Sequence, residues 1–204
     1  MAKCPDWQYL AGLTLGLLSC AASAANLSAQ LTDMNGALLD DAVIFATPLK
    51  GTLPKARGAI VDQVNKEFVP LVSVIQTGTA VTFPNKDNIR HHVYSFSAPK
   101  VFDLKLYSGV PASPVVFDKP GLVVLGCNIH DWMLAYVLVV DTPYFAKSSK
   151  GAARIENVPN GEYEVRAWHP RLQGVFPVQK INLTDAAAPL SFRLPLNQNA
   201  AGAH

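Results

Sequence analysis

The pattern of hydrophobic and polar positions predicts strands along almost the whole chain. Val, Ile, Phe, Tyr and Thr gather in short runs, and Gly, Pro, Asn and Asp separate one run from the next. No stretch keeps a period of 3.6 residues over three turns, so helices should be few and short. This pattern predicts an all-β fold, a sandwich or a barrel. The predicted strands include Ala42–Thr47, Leu71–Gln76, Thr79–Phe83, His91–Phe96, Leu122–Leu125, Leu134–Val140, Glu162–Trp168 and Leu190–Leu194.

The N-terminal segment has a different pattern, which is typical of a secretory signal peptide. Lys3 precedes an apolar run from Leu10 to Leu18, and the small residues Ala22, Ser23 and Ala24 follow it. The run is too short to span a bilayer. We therefore predict that residues 1–24 are a cleaved signal peptide and that the protein is periplasmic or secreted, with no transmembrane segment in the mature chain.

Removal of the predicted signal peptide would change the number of cysteines in the chain. Cys4 and Cys20 lie within the predicted leader, so the mature chain keeps only Cys127. Leu17-Leu18-Ser19-Cys20 resembles a bacterial lipobox, so a lipid anchor at Cys20 is the alternative to plain export. A lone thiol in an oxidising compartment is a buried inert residue, a crosslink between chains or a metal ligand.

Charge excludes one class of partner. The 204 residues include 17 basic and 15 acidic side chains, a net charge of +2, and only 16% of the residues are charged. This balance gives no basic surface for nucleic acid or for anionic lipid. We expect no nucleic-acid partner.

The segment around Cys127 carries the candidate chemistry. Cys127, His130 and Met133 follow one another at intervals of three residues, so one loop can bring all three around a single ion. A second imidazole is available from His91 or His92. Two imidazoles, one thiolate and a weak thioether form the ligand set of a trigonal blue-copper site, and these soft donors favour copper. Zinc is the main competitor because it also binds Cys and His.

The central part of the chain also resembles the cupredoxins. The resemblance covers residues 68–140 and rests on FVPLVSVIQTGTAVTFPN, RHHVYSF and FDKPGLVVLGCNIHDWM. The C-x2-H-x2-M spacing is that of the amicyanin type. The sequence is also similar to plastocyanin-like proteins labelled methylamine-utilisation proteins. The resemblance implies a Greek-key sandwich over residues 55–142 that holds one type 1 copper ion.

Carried over residue by residue, the resemblance assigns Cys127 as the thiolate, His130 as an imidazole ligand and Met133 as the axial ligand. Cupredoxins place their other ligand histidine directly before an asparagine, and His92 stands at that asparagine position here. Successive residues of a strand point to opposite faces, so only one of the pair can reach the metal from this strand. We favour His91.

The two ends of the chain have another character. Residues 32–36 form a turn between short strands, and residues 158–163 form a Pro-Asn-Gly turn into a strand. Both features resemble carboxypeptidase-regulatory or transthyretin-like sandwiches. We predict a small β-sandwich made of residues 26–50 and 143–197, with the copper unit inserted at the Ala46–Lys55 connection. The alternative is one enlarged sandwich with decorated ends.

Four protein ligands would leave no position open for a substrate, which favours one-electron transfer with an unidentified redox partner protein over catalysis. We therefore expect no enzymatic activity. The alternative is a non-redox periplasmic copper-binding or copper-carrier protein. A single mature cysteine excludes a binuclear copper centre of the Cys-x3-Cys type. We expect His169 to be structural and His204, at the terminus, to have no role in the site.

Overall fold

The structure is a computed structural model that describes residues 24–197. Within that range it contains strands, turns and irregular segments and no helix, so the predicted all-β fold is confirmed. No helix of the described range could cross a membrane. The strands are β1 Ala24–Asp33, β2 Val43–Pro48, β3 Ala59–Ile60, β4 Asp62–Val64, β5 Glu67–Val69, β6 Val72–Gln76, β7 Thr79–Thr82, β8 His91–Ser95, β9 Phe102–Tyr107, β10 Val115–Phe117, β11 Gly121–Gly126, β12 Leu134–Val140, β13 Phe145–Lys147, β14 Ala152–Pro159, β15 Gly161–Trp168, β16 Val178–Leu183 and β17 Leu190–Leu194.

Two central sheets form a sandwich that carries the cysteine loop. One has the order β6-β12-β11-β8-β9 and the other the order β10-β7-β3, with the small hairpin β4-β5 beside them. Alternate side chains point into the space between the sheets and form one core. That core contains Val61, Phe68, Ile75, Val81, Phe83, Val93, Phe117, Val123, Leu125, Cys127, Met133, Ala135, Val137 and Val139.

Strands from the two ends of the chain form two further sheets, with the orders β14-β1-β17 and β13-β2-β15-β16. Their shared core includes Leu31, Ile44, Val165, Phe192 and Leu194. In the described residues, every ladder joins an end strand to an end strand or a central strand to a central strand. The β-sandwich class is confirmed, whereas the unit boundaries at residues 26–50, 55–142 and 143–197 stay a prediction.

A third apolar cluster lies between the end sheet β13-β2-β15-β16 and the larger central sheet β6-β12-β11-β8-β9. These are the two inner sheets of the molecule. On β2, Val43 and Phe45 point into this cluster, while Ile44 points into the end core. On β12, Leu138 and Val140 point into it, while their neighbours point into the central core. Strands that are covered on both faces have sequences made of continuous apolar residues. Four sheets therefore stack with three apolar layers between them.

Predictions about the ends of the sequence lie outside the described residues. The leader with Lys3, Cys4 and Cys20 belongs to residues 1–23, and His204 lies beyond residue 197. Export, cleavage and lipid attachment at Cys20 therefore stay predictions.

Candidate metal centre

The loop of residues 127–133 leaves and re-enters one sheet at neighbouring positions. Gly126 at the end of β11 pairs with Leu134 at the start of β12, so seven residues bridge two adjacent strands. The amide of Met133 donates to the carbonyl of His130 at 3.0 Å and tightens the turn. A Cβ atom at position 126 would lie 2.7 Å from the ring of Tyr94, so the close approach of that ring requires glycine. Glycine at position 126 thus lets the Tyr94 ring pack against the end of β11.

Three of the four predicted ligands converge at this loop. Side-chain donor atoms of His91, Cys127 and His130 all lie within 4.8 Å of one another, the only such group of His, Cys, Asp or Glu among residues 24–197. Cys127 Sγ lies 4.0 Å from His91 Nδ1. Nitrogen and sulfur atoms bound about 2.0 and 2.3 Å from one ion in a trigonal plane are separated by roughly 3.7 Å. The spacing of the donors therefore fits a shared metal ion.

Burial of these donors also fits a ligand role. The Cys127 thiol is free, and only 3% of the residue is exposed. His130 Nδ1 is buried and has no hydrogen-bond partner within the described chain. A buried ring nitrogen without a partner costs free energy unless something else occupies it. Met133, 2% exposed, belongs to the same core cluster as Cys127.

The two neighbouring histidines point to different surroundings. His91 is fully buried and has its Nδ1 atom towards the Cys127 thiol. His92 lies on the other face of β8, where its Nε2 atom is 2.5 Å from Oδ1 of Asp103, a residue of β9. The strand alternation that favoured His91 in the sequence is the alternation seen here. The identity of the four ligands stays a prediction.

The second nitrogen of His91 is occupied by a residue that the sequence had not singled out. His91 Nε2 lies 2.7 Å from Asp87 Oδ2. Burial opposes ionisation of Asp87, but hydrogen bonds from the Lys66 amide, His91 and the Asn65 amide outweigh it, so the pKa of Asp87 is below its usual value. Asp87 is therefore a carboxylate at neutral pH, beside a buried imidazole. An acidic residue four positions before a candidate ligand is the only sequence signal for it.

A buried polar pair, also missed in the sequence, includes Tyr107, which pairs with His91 in the ladder of β8 and β9. Gln63 Nε2 donates to the Tyr107 hydroxyl at 2.6 Å, and that hydroxyl donates to the Phe83 carbonyl at 2.5 Å. Burial raises the pKa of Tyr107 to about 12, against the opposing effect of the hydrogen bond from Gln63. Tyr107 therefore remains a neutral hydrogen-bond donor at neutral pH.

One edge of the candidate centre reaches the surface. His130 is half-buried, and its ring lies 4.9 Å from the ring of Trp132, which is 57% exposed. Ile129 is 48% exposed on the same loop. Asp131 is also exposed. The loop therefore presents an aromatic ring, an apolar side chain and a carboxylate beside the imidazole.

His169 lies apart from this group. Its Nδ1 atom accepts a hydrogen bond from the Arg171 amide at 3.1 Å, and the residue is 8% exposed. Burial, with the positive charge of Arg171, lowers the pKa of His169 to about 4, although the negative charge of Asp41 works in the other direction. The imidazole is therefore neutral in the folded protein, which is consistent with a structural role.

The depressed pKa of His169 predicts a loss of stability in mild acid. Between about pH 6.5 and pH 4 the unfolded chain binds a proton at His169 and the folded chain does not, so the free energy of unfolding falls as the pH falls, by up to about 3 kcal/mol. His169→Asn keeps an acceptor for the Arg171 amide and cannot titrate. Urea denaturation of metal-free protein at pH 7 and pH 5 should show a smaller drop for the variant. Equal drops in both proteins would contradict the assignment.

The comparisons with known proteins give structural neighbours only. No protein-family model matches the chain, and no curated protein matches it. Solved structures that resemble it are cupredoxins and a related copper enzyme. A Cu-containing nitrite reductase from Thermus scotoductus SA-01 shares 28% identity over 40% of this chain, with a TM-score of 0.38. The chain spans only 22% of that enzyme's length.

Two smaller proteins align over much of their own length. A purple cupredoxin from Nitrosopumilus maritimus shares 24% identity over 40% of this chain and 99% of its own, with a TM-score of 0.36. A pseudoazurin from Sinorhizobium meliloti shares 23% identity over 43% of this chain and 76% of its own, with a TM-score of 0.34. At this degree of similarity, the function of this chain has to be inferred from its own residues.

Proposed function

We propose that this protein binds one copper ion in a type 1 site and carries single electrons outside the cytoplasm. The observation that carries the proposal is the buried, unpartnered Nδ1 atom of His130 beside a buried free thiol and a second buried imidazole. His91, Cys127 and His130 would hold the ion, and Met133 would supply the weak axial thioether. This set of soft and borderline donors favours copper over magnesium, calcium or manganese.

Copper would supply the redox couple, since it exchanges one electron between its two common oxidation states. The chain's own residues would bind it, orient the ligands and exclude water. The buried strand β8 holds His91, and the short loop holds Cys127 and His130, so the donor atoms are pre-organised before metal arrives. A site that is already formed needs little rearrangement when the charge of its occupant changes.

Four ligands from the protein leave no position for a substrate, and this supports a carrier rather than an enzyme. Electron exchange would then use the half-buried edge of His130, with Trp132 and Ile129 as the contact surface for a redox partner protein. Small, weakly polar contacts suit transient electron transfer. The predicted signal peptide is the support for a periplasmic or secreted location.

Copper titration with a cysteine variant tests the proposal. One equivalent of Cu(II) should give the wild type an intense visible absorption band, as expected for a copper–thiolate bond. Cys127→Ser should abolish the band and weaken Cu(II) binding by more than about 100-fold, because a ligand matters at least as much as the groups that orient ligands. Absorption spectroscopy and competition with a chelator provide the measurements.

The control is His169→Asn, which removes an imidazole that lies apart from the candidate ligands and should leave the band unchanged. If wild-type protein binds Cu(II) without the band, and Cys127→Ser keeps the same affinity, the type 1 assignment is wrong. Copper binding without reversible reduction and reoxidation would instead support the copper-carrier alternative.

A further inference from the structure

A tight turn in the hairpin β4-β5 presents two backbone donors to Asp87. Asn65 and Lys66 form this turn with φ angles of 55° and 63°, as in a type I′ hairpin connection. The Asn65 amide donates to Asp87 Oδ1 at 2.7 Å, and the Lys66 amide donates to Asp87 Oδ2 at 2.8 Å. Both carboxylate oxygens therefore have fixed partners.

The segment that carries Asp87 is attached to the same hairpin at further points. The amide of Lys86 donates to the Gln63 carbonyl at 2.9 Å, and the amide of Gln63 donates to the Pro84 carbonyl at 2.9 Å. Lys86 also forms a 2.7 Å ion pair with Asp62. These contacts hold the backbone that leads into Asp87, and the Asn65 and Lys66 amides hold its carboxylate, so the side chain has little freedom to move.

The fixed carboxylate accepts the Nε2–H proton of His91 at 2.7 Å. The side chain of His91 is fully buried and that of Asp87 is 12% exposed, so water competes weakly for this hydrogen bond. An imidazole that carries its proton on Nε2 has its lone pair on Nδ1, the atom that faces the Cys127 thiol. The hydrogen bond therefore sets the tautomer and the direction of the ring.

We propose that Asp87 is a positioning residue that orients His91 for the metal and favours the more highly charged copper state. The inference rests on the proposed function and deepens it. A carboxylate that accepts the ring proton makes the opposite nitrogen more basic. Its negative charge also attracts Cu(II) more strongly than Cu(I) at short range. Asp87 thereby lowers the reduction potential and raises the affinity for Cu(II).

Asp87→Asn keeps the shape of the side chain and removes the charge, and Asp103→Asn is the matched control. Asp103 pairs with His92 in the same way, but on the opposite face of β8. We expect Asp87→Asn to weaken Cu(II) binding by about 10–100-fold. The loss for Cu(I) should be about tenfold smaller, which raises the one-electron potential by about 59 mV. Asp103→Asn should change the ratio of the two affinities by less than about threefold.

A second measurement uses the wild-type protein without copper. Nitrogen-15 NMR of the full chain should show His91 with its proton on Nε2, held in slow exchange with water, because Asp87 accepts that proton in the metal-free protein. Asp103→Asn should leave this signal in place.

Several results would overturn the inference. These are a His91 proton on Nδ1 in metal-free wild type, an unchanged affinity ratio in folded Asp87→Asn, or an equal shift in Asp103→Asn. Each of them is compatible with a normal copper band in the wild type, so the inference can fail while the proposed function stands. Absence of the copper band in the wild type would instead contradict the proposed function.

Discussion

His91→Ala is expected to abolish the visible copper band and to weaken Cu(II) binding by more than about 100-fold, whereas His92→Ala should change binding by only a few-fold. The reason is geometric. His91 is fully buried, with Nδ1 4.0 Å from the Cys127 thiol. His92 faces Asp103 on the other side of β8. Loss of a ligand should exceed the 10–100-fold cost that is typical of losing a group behind a ligand.

The two histidine variants control for each other, because both shorten an imidazole to a methyl group at adjacent positions of one strand. Chelator competition gives the Cu(II) affinity, and circular dichroism shows whether each variant is folded. Loss of the band in His92→Ala together with its retention in His91→Ala would reverse the ligand assignment.

Leu138→Ala is expected to lower the free energy of unfolding by about 2–5 kcal/mol. Leu138 is 1% exposed and lies in the apolar layer between the two inner sheets, with Val43, Val72 and Trp168. Truncation there removes buried methyl groups and leaves a cavity bounded by two rigid sheets, which cannot collapse easily. Urea denaturation, followed by circular dichroism and tryptophan fluorescence, measures the change.

Leu106→Ala is the matched control, since Leu106 is 50% exposed on β9 and its truncation should cost no more than about 0.5 kcal/mol. A loss below about 1 kcal/mol for Leu138→Ala would mean that the layer between the inner sheets contributes little to stability. A variant in which the end strands unfold separately from the central strands would support the predicted division into two units.

Local pattern predicted the strands well because each strand carries its own signal. The predicted bounds of Leu134–Val140 and Leu190–Leu194 are those of β12 and β17. The cysteine loop could also be predicted from the sequence, since its candidate ligands lie within seven residues of one another. What the pattern of β2 and β12 did not predict is that both faces of each strand would be covered. An apolar run indicates that a strand is buried, but it does not show which sheet packs against each face.

The surroundings of His91 were harder to predict because they depend on contacts between distant segments. Asp87 is held by amides 21 and 22 residues earlier in the chain. Tyr107 and Gln63 are 44 residues apart. No local rule places the amide of a turn against a carboxylate on another segment. The choice between His91 and His92, in contrast, needed only the alternation of one strand.

The parallel pairing of β1 with β17 has a consequence for the order in which parts of the protein can fold. Ala29 lies opposite Leu190, so the first described strand cannot complete its sheet until the segment around Leu190 is available. The central sheets need nothing beyond Val140. Closing a short loop costs less entropy than closing a long one, and earlier segments become available first. The central sheets can therefore form before β17 is available to pair with β1.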